Sequence, residues 1–154
     1  STRCATVCVT ACWRWLRVAN IEAALWSRLT TGGHSGTTAL IADRCYPLRK
    51  PQAEKRACVV YQLISRGREV IGGSDSGLAN PRYQFRCIAP SYSAASALAT
   101  QVTAALSRWS GTEAGEVIQG SFPAGGGGAQ YDEDDGDEGT HSFLLDFRIW
   151  HLES

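Results

Sequence analysis

The strongest constraint on the fold of this chain is one change of hydrophobic period inside the segment 75–106. Between positions 82 and 89, apolar and polar side chains alternate, which is typical of a half-buried β-strand. The apolar face of this strand is formed by Tyr83, Phe85, Cys87 and Ala89. The other face carries Arg82, Gln84 and Arg86, and we expect it to be more exposed.

After Pro90 the apolar residues recur at steps of three and four, which indicates a helix with one buried face. That face comprises Ala95, Leu98, Ala99, Val102, Ala105, Leu106 and Trp109. Either Ser91 or Ser93 is suited to cap the start of the helix, and Gly111 is expected to end it. A strand followed by a helix of this kind predicts a helix that lies on a sheet.

Other segments extend the same architecture. Residues 57–65 are rich in β-branched and aromatic side chains and predict a strand, and residues 66–73 could turn into it or pair with it. Residues 142–152 predict a long strand, with 116–122 as its partner. Its dry face would carry Phe143, Leu145, Phe147 and Ile149. Residues 20–29 predict a first helix, so the expected order is α-β-β-β-α-β-β.

Five segments, in this order and spacing, resemble the tail-completion or tail-terminator proteins of long-tailed bacteriophages and gene transfer agents. They are IEAALWSRLT, CYPLRKPQ, VVYQLIS, DSGLANPRYQFRCIAPSYSAASALATQVTAAL and SFLLDFRIWH. The resemblance extends from Ile21 to Glu153. It implies an α+β fold in which two helices pack on one face of an antiparallel sheet.

The resemblance also implies a function. The protein would be a structural virion protein that forms a ring, usually of six copies, at the head-proximal end of the tail tube. It would end tube polymerisation and join the tail to the head-side connector or stopper protein. Genomic DNA would pass through the central channel without sequence-specific binding. The protein would be located in the tail or neck of the virion, after assembly in the cytoplasm of the bacterial host. The alternatives are a head-side completion or neck protein and a small oligomeric binding module unrelated to phages.

Length and composition agree with one domain. The chain has 154 residues, 44% of them hydrophobic, which is enough for a sizeable core. We expect residues 20–154 to form a single domain and residues 1–19 to form an extension of unassigned structure. No apolar run approaches the length of a membrane span, so we expect no membrane partner.

An acidic block lies within a glycine-rich segment, 123–140, which predicts a flexible hairpin connection. The block consists of Asp132, Glu133, Asp134, Asp135, Asp137 and Glu138. One interpretation is an ordinary solvated loop. A second follows from the resemblance: an acidic loop lining the channel would repel DNA phosphates. A third is calcium binding, but the spacing departs from the twelve-residue calcium loop.

Basic residues outnumber acidic ones between positions 44 and 68. The candidates for contacts with other subunits or with the tube are Arg44, Arg49, Lys50, Lys55, Arg56, Arg66 and Arg68. Solvated surface charge is the simpler interpretation. A contact with acidic groups of a neighbouring copy or of the tube is the alternative. A nucleic-acid site is less favoured because few aromatic residues are interleaved with these cations.

Nothing in the sequence predicts catalysis, a cofactor or a metal. The three histidines lie in separate segments, and no hydrolase, metalloprotease or phosphate-binding motif occurs. His151, on the last strand, is expected to be a half-buried packing residue. Cys45, Cys58 and Cys87 are expected to be reduced core residues, and Cys4, Cys8 and Cys12 lack a fourth ligand that would complete a zinc site.

Overall fold

The computed structural model of this chain describes residues 20–30, 35–51, 54, 56–125, 128–132 and 140–152. The predicted extension 1–19 lies outside these ranges, as do residues 133–138 of the acidic block. Within the ranges, the helices are α1 (Asn20–Thr30), α2 (Ser35–Ile41) and α3 (Tyr92–Leu106). The strands are β1 (Cys45–Pro47), β2 (Cys58–Ser65), β3 (Arg68–Ile71), β4 (Ser74–Ala79), β5 (Arg82–Ala89), β6 (Gly111–Glu113), β7 (Glu116–Pro123), β8 (Ala129–Asp132) and β9 (Thr140–Leu152).

The nine described strands form one sheet in which β9 is central. Along one side, β9 pairs with β5 and then with β4. Along the other side, it pairs with β8 and then with β7. The prediction that the segment 116–122 pairs with the long last strand is therefore confirmed.

The expected all-antiparallel sheet and element order are wrong. β1 runs parallel to β2, so the sheet is mixed. The described part of the chain also contains five elements that were not predicted, namely α2, β1, β4, β6 and β8. β3 pairs with β4 and not with β2. Each unpredicted element is short, so the sequence pattern is weak and pairing with distant residues decides its conformation.

The helices and one face of the sheet share a single large core. α1 contributes Ile21, Ala24, Leu25 and Leu29, as predicted, and the sheet contributes Val59, Tyr61, Tyr83, Phe85, Cys87, Phe147 and Ile149, among others. α2 is held to α3 because the buried Thr37 hydroxyl donates to the Gln101 carbonyl at 3.3 Å. The alternation of β5 is confirmed, since Tyr83, Phe85, Cys87 and Ala89 are all buried.

The two ends of α3 test the predicted boundaries. Ser91 caps the start, accepting from the Ala94 amide at 3.3 Å. The helix ends before the expected stop at Gly111, because Ser107 is already extended and the Arg108 amide donates to the Ser121 carbonyl of β7 at 2.7 Å. Trp109 therefore follows the helix, although it is buried as predicted.

The end of β9 carries a polar pair within the covered face. His151 is buried, not half-buried as predicted, and its Nδ1 lies 2.9 Å from the Glu116 Oε1 of β7. Both side chains are more than nine-tenths buried. This pair ties the start of β7 to the end of β9.

Candidate interaction surface

The face of the sheet that points away from the main core has a different composition. We call it the open face and define it by Val60, Gln62, Gln84, Arg86 and Leu144. These side chains form rows across three strands: Val60 is opposite Arg86, which is opposite Leu144. Its buried apolar residues form a separate small cluster of Cys58, Val60 and Ile88 with Tyr46 against it, and none of these four belongs to a helix.

A groove of about 460 Å³ lies between the open face and the connector that follows β1. It is lined by Leu48, Arg49, Lys50, Val60, Gln62, Gln84, Arg86, Ile88, Gln130, Thr140 and Leu144. Three of these residues are cations, three are glutamines with both donor and acceptor atoms, and none in the described part of the chain is acidic. We call this feature the cationic groove.

Glu54 holds the connector that forms one wall of the groove. Its Oε1 accepts from the Arg56 amide at 3.0 Å and from the Arg56 Nε at 2.9 Å, and its Oε2 lies 3.5 Å from the Tyr46 hydroxyl. The Lys50 Nζ donates to the Glu54 carbonyl at 2.7 Å. The hydrogen bond from Arg56 is the main cause that lowers the pKa of Glu54 to about 2. Glu54 is therefore ionised at neutral pH and keeps the connector folded beside the sheet.

Leu48 stands at the rim of the groove in a conformation that is uncommon for a branched side chain. Its φ is +66°, in the left-handed region that costs a non-glycine residue about 1–2 kcal/mol. The Leu48 amide donates to the Tyr61 carbonyl at 2.9 Å, and the Arg49 amide donates to the Pro47 carbonyl at 2.7 Å. These bonds hold the turn, and they leave the Leu48 side chain 73% exposed.

The arginines of β5 have different partners. Arg82 forms an ion pair with the buried Asp146, with an Nε to Oδ2 distance of 3.1 Å. Arg86 has a weaker contact, an Nε to Ser142 Oγ distance of 3.3 Å, and it lines the groove. The charge of Arg82 is therefore balanced within the chain, whereas Arg86 adds positive charge to the groove.

The structure separates the basic residues that the sequence grouped together. Of the six candidates that the structure describes, only Arg49 and Lys50 line the groove. Arg44 is structural, since its Nε donates to the Ala57 carbonyl at 2.8 Å and its second amino group donates to the Leu40 carbonyl at 2.9 Å. Arg56 is paired with Glu54.

The remaining candidates lie elsewhere. Arg66 and Arg68 are exposed at the turn between β2 and β3, and Lys55 lies outside the described residues. The six described candidates therefore do not line one groove.

Sequence reasoning missed most of the groove. It identified Arg82, Gln84 and Arg86 as one face of a strand, and Gln84 and Arg86 line the groove. No pattern in the sequence indicated Gln130 and Thr140, because they reach the groove through the pairing of β8 with β9. Sequence spacing carries no information on such a pairing.

The buried cysteines give no chemistry to this surface. Cys45, Cys58 and Cys87 are buried thiols, as predicted. Burial raises the pKa of the Cys45 thiol to about 12 and raises that of Cys87 further above its ordinary value. Thiols of this kind are not nucleophiles at neutral pH. No group of three metal-binding side chains occurs in the described ranges. In the same ranges no helix is long and apolar enough to cross a membrane.

Comparison with known proteins identifies the family. The family model for tail completion protein gp17 matches residues 23–152. A solved chain described as part of the virion of a native gene transfer agent particle has the same fold, with a TM-score of 0.57 and 16% sequence identity. The match covers 88% of this chain and 96% of that chain. No curated protein matches the chain. Because the family model extends over most of the sequence, the chain belongs to the tail completion protein gp17 family, a family of structural virion components and not of enzymes.

Proposed function

We propose that this protein forms a ring at the head-proximal end of the phage tail tube, ends polymerisation of the tube and joins the tail to the head-side connector. The observation that carries the proposal is the family match over residues 23–152. The fold shared with a chain of a gene transfer agent virion supports it, since that match covers nearly the whole of the other chain.

The geometry supports a binding role of this kind. One face of the sheet is committed to the core, with Phe85 and Phe147 almost fully buried. The open face carries glutamines and cations beside an exposed leucine, a mixture that suits a partly polar protein interface. A structural joint needs such a surface and does not need a reactive group.

A ring also follows from the kind of contact that the proposal requires. A contact between two different surfaces of identical copies closes into a ring when its rotation divides a full turn. We propose six copies, with the tube protein on one side, the connector on the other, and genomic DNA passing through the central channel.

The proposal is tested by removing the gene from a host that produces the particle. Cells without this protein should accumulate filled heads without tails, and free tails of abnormal length, as seen by electron microscopy. The wild-type gene supplied in trans should restore joined particles, and so should Arg108→Gln, which changes an exposed cation after α3 that does not line the groove.

Two other outcomes are decisive. Free tails of normal length beside filled heads would replace tube termination with a head-side neck role. Normal tails attached to heads would contradict both roles and leave a binding module whose target lies outside the particle.

A further inference from the structure

Leu48 combines two features that are each unfavourable in the isolated chain. Its φ of +66° lies in the left-handed region, which glycine and asparagine occupy more readily than leucine. Its side chain is 73% exposed, the highest value among the exposed large hydrophobic residues that the structure describes. A single exposed leucine is common on protein surfaces, but a left-handed one is not. Residues held in such conformations are concentrated at ligand clamps and active sites.

The turn that carries Leu48 is fixed on both sides. The Leu48 amide donates to the Tyr61 carbonyl of β2 at 2.9 Å. Two residues further along the chain, the Lys50 Nζ donates to the Glu54 carbonyl at 2.7 Å. The leucine is therefore presented at one position before any partner arrives. A preorganised contact of this kind loses less conformational entropy on binding.

Neither this chain nor a second copy of it offers a suitable cover for Leu48. The acidic segment between β8 and β9 reads EDDGDEG over positions 133–139, so it contains no apolar side chain that could bury a leucine. The groove of a second copy would bring Arg49, Lys50 and Arg86 against the same cations of the first copy. Like charges that face each other across an interface weaken it. The charges therefore favour a different protein.

We propose that Leu48 anchors a contact with a different protein of the particle, one that offers an apolar pocket bordered by carboxylates. Leu48 would fill the pocket, and Arg49 and Lys50, which follow it in the chain, would meet the carboxylates. Burial of the leucine then offsets the cost of its backbone angle, because apolar area leaves water. The inference rests on the proposed function, since that function places the partner in the particle.

Joining of heads and tails in vitro tests the anchor. Heads and tails purified from the host that lacks the gene are mixed with the purified full chain, and joined particles are counted by electron microscopy. Leu48→Asn suits the left-handed angle but has no apolar side chain, so the number of joined particles should fall about tenfold or more. Leu48→Met keeps an apolar side chain and should join heads to tails nearly as well as the wild type.

A control variant and two further measurements separate contact from folding. Ile64→Asn removes an exposed apolar side chain elsewhere on β2 and should leave joining unchanged. Leu48→Asn should unfold in urea at a midpoint no lower than that of the wild type. Leu48→Cys should react with maleimide about tenfold more slowly in joined particles than in the free chain, as measured at position 48 by mass spectrometry. Equal reaction rates would overturn the proposal.

Binding to each half of the particle tests the chemistry of the partner. The chain is sedimented with the purified tails alone and with the purified heads alone. Leu48→Asn and Arg49→Glu should both weaken binding to the same half, the second because a carboxylate would then face carboxylates. Full binding by Arg49→Glu would exclude the acidic border. Loss of self-association in sedimentation velocity, with binding to both halves unchanged, would assign Leu48 to a contact between copies and overturn the proposal.

Failure of this inference and failure of the proposed function give different results. If Leu48→Asn joins heads to tails as well as the wild type does, the anchor is wrong and the joining function stands. If the wild-type chain joins nothing and the host without the gene still produces complete particles, the proposed function and this contact are both wrong.

Discussion

Phe85 and Arg86 are neighbours on β5, yet they belong to two different environments. Phe85 is completely buried beneath the helices, and its ring meets that of Phe147 edge to face with 6.1 Å between centroids. Arg86 points the other way, into the cationic groove. On the covered face, the contacts that matter for stability lie within the chain. On the open face, the side chains have room for contacts with another molecule.

The difference between the two faces predicts which substitutions should lower stability and which should impair assembly. Burying apolar area stabilises a fold, whereas exposed charges change the free energy of unfolding little. Substitutions on the covered face should therefore unfold the protein and lower its amount in the cell. Substitutions on the open face should leave a folded protein that assembles poorly.

The largest expected effect comes from the covered face. Phe85→Ala and Phe147→Ala should each lower the free energy of unfolding by about 3–5 kcal/mol, against roughly 5–15 kcal/mol for a whole domain. The double variant should fail to fold, as judged by circular dichroism and urea titration. Gln84→Ala, on the same strand but on the open face, is the matched control and should change stability by about 0.5 kcal/mol or less. Equal losses on both faces would remove the distinction.

A polar substitution within the covered face should have the next largest effect. Glu116→Ala leaves the buried His151 ring without its 2.9 Å partner, which should cost about 1–3 kcal/mol in urea titration. Val117→Ala, at the exposed neighbouring position, is the control. Replacing both partners, with Glu116→Leu and His151→Phe, should cost less than the single change, because no buried polar atom is then left unpaired. A single variant as stable as the wild type would show that the pair does not hold β7 to β9.

At the rim of the groove, a substitution should increase stability. Leu48→Gly relieves a left-handed backbone angle and should raise the free energy of unfolding by about 0.5–1 kcal/mol, after the entropy lost by glycine is included. Ala114→Gly is the control, because Ala114 has a φ of +49° at the exposed turn between β6 and β7. Both variants should be more stable in urea titration. A Leu48→Gly variant no more stable than the wild type would show that the left-handed angle carries no cost at this turn.

The smallest effect should be a local change with pH. The pKa of Glu54 is lowered from its ordinary value of 4.5 to about 2, so its contribution is complete above pH 4.5 and is lost as the pH falls towards 2. Carboxyl shifts in an NMR titration should give a midpoint for Glu54 well below 4.5, with the amide of Arg56 changing in parallel. Glu54→Gln removes the charge and should abolish the response of Arg56. A midpoint near 4.5 would mean that the connector is not held by this pair.

The parts of the fold that the sequence predicted are those with long, regular patterns. β5, α3 and β9 each have an uninterrupted apolar face, so their packing on the core could be predicted from period alone. α2 could not, since its seven residues include Gly36, Thr37 and Thr38, which favour helix weakly, and it is held by contact with α3. β8 follows a glycine run and exists through pairing with β9.

The candidate site was harder to predict for the same reason. Arg49 and Lys50 were identified by charge, but charge alone grouped them with Arg44, whose guanidinium bonds to backbone carbonyls. The groove forms because β1 pairs in parallel with β2. No pattern in the sequence relates these two segments. The resemblance to tail-completion proteins indicated the family, whereas the position of the groove became clear only from the pairing of the strands.

The position of β9 at the end of the sheet-forming segments means that the groove forms late in folding. β9 follows every other described strand in the chain, and β4, β5, β7 and β8 all pair with it. A chain still being translated lacks this strand, so the sheet is incomplete and the wall of the groove that contains Leu144 does not yet exist. The cationic groove is thus completed only after synthesis has passed β9.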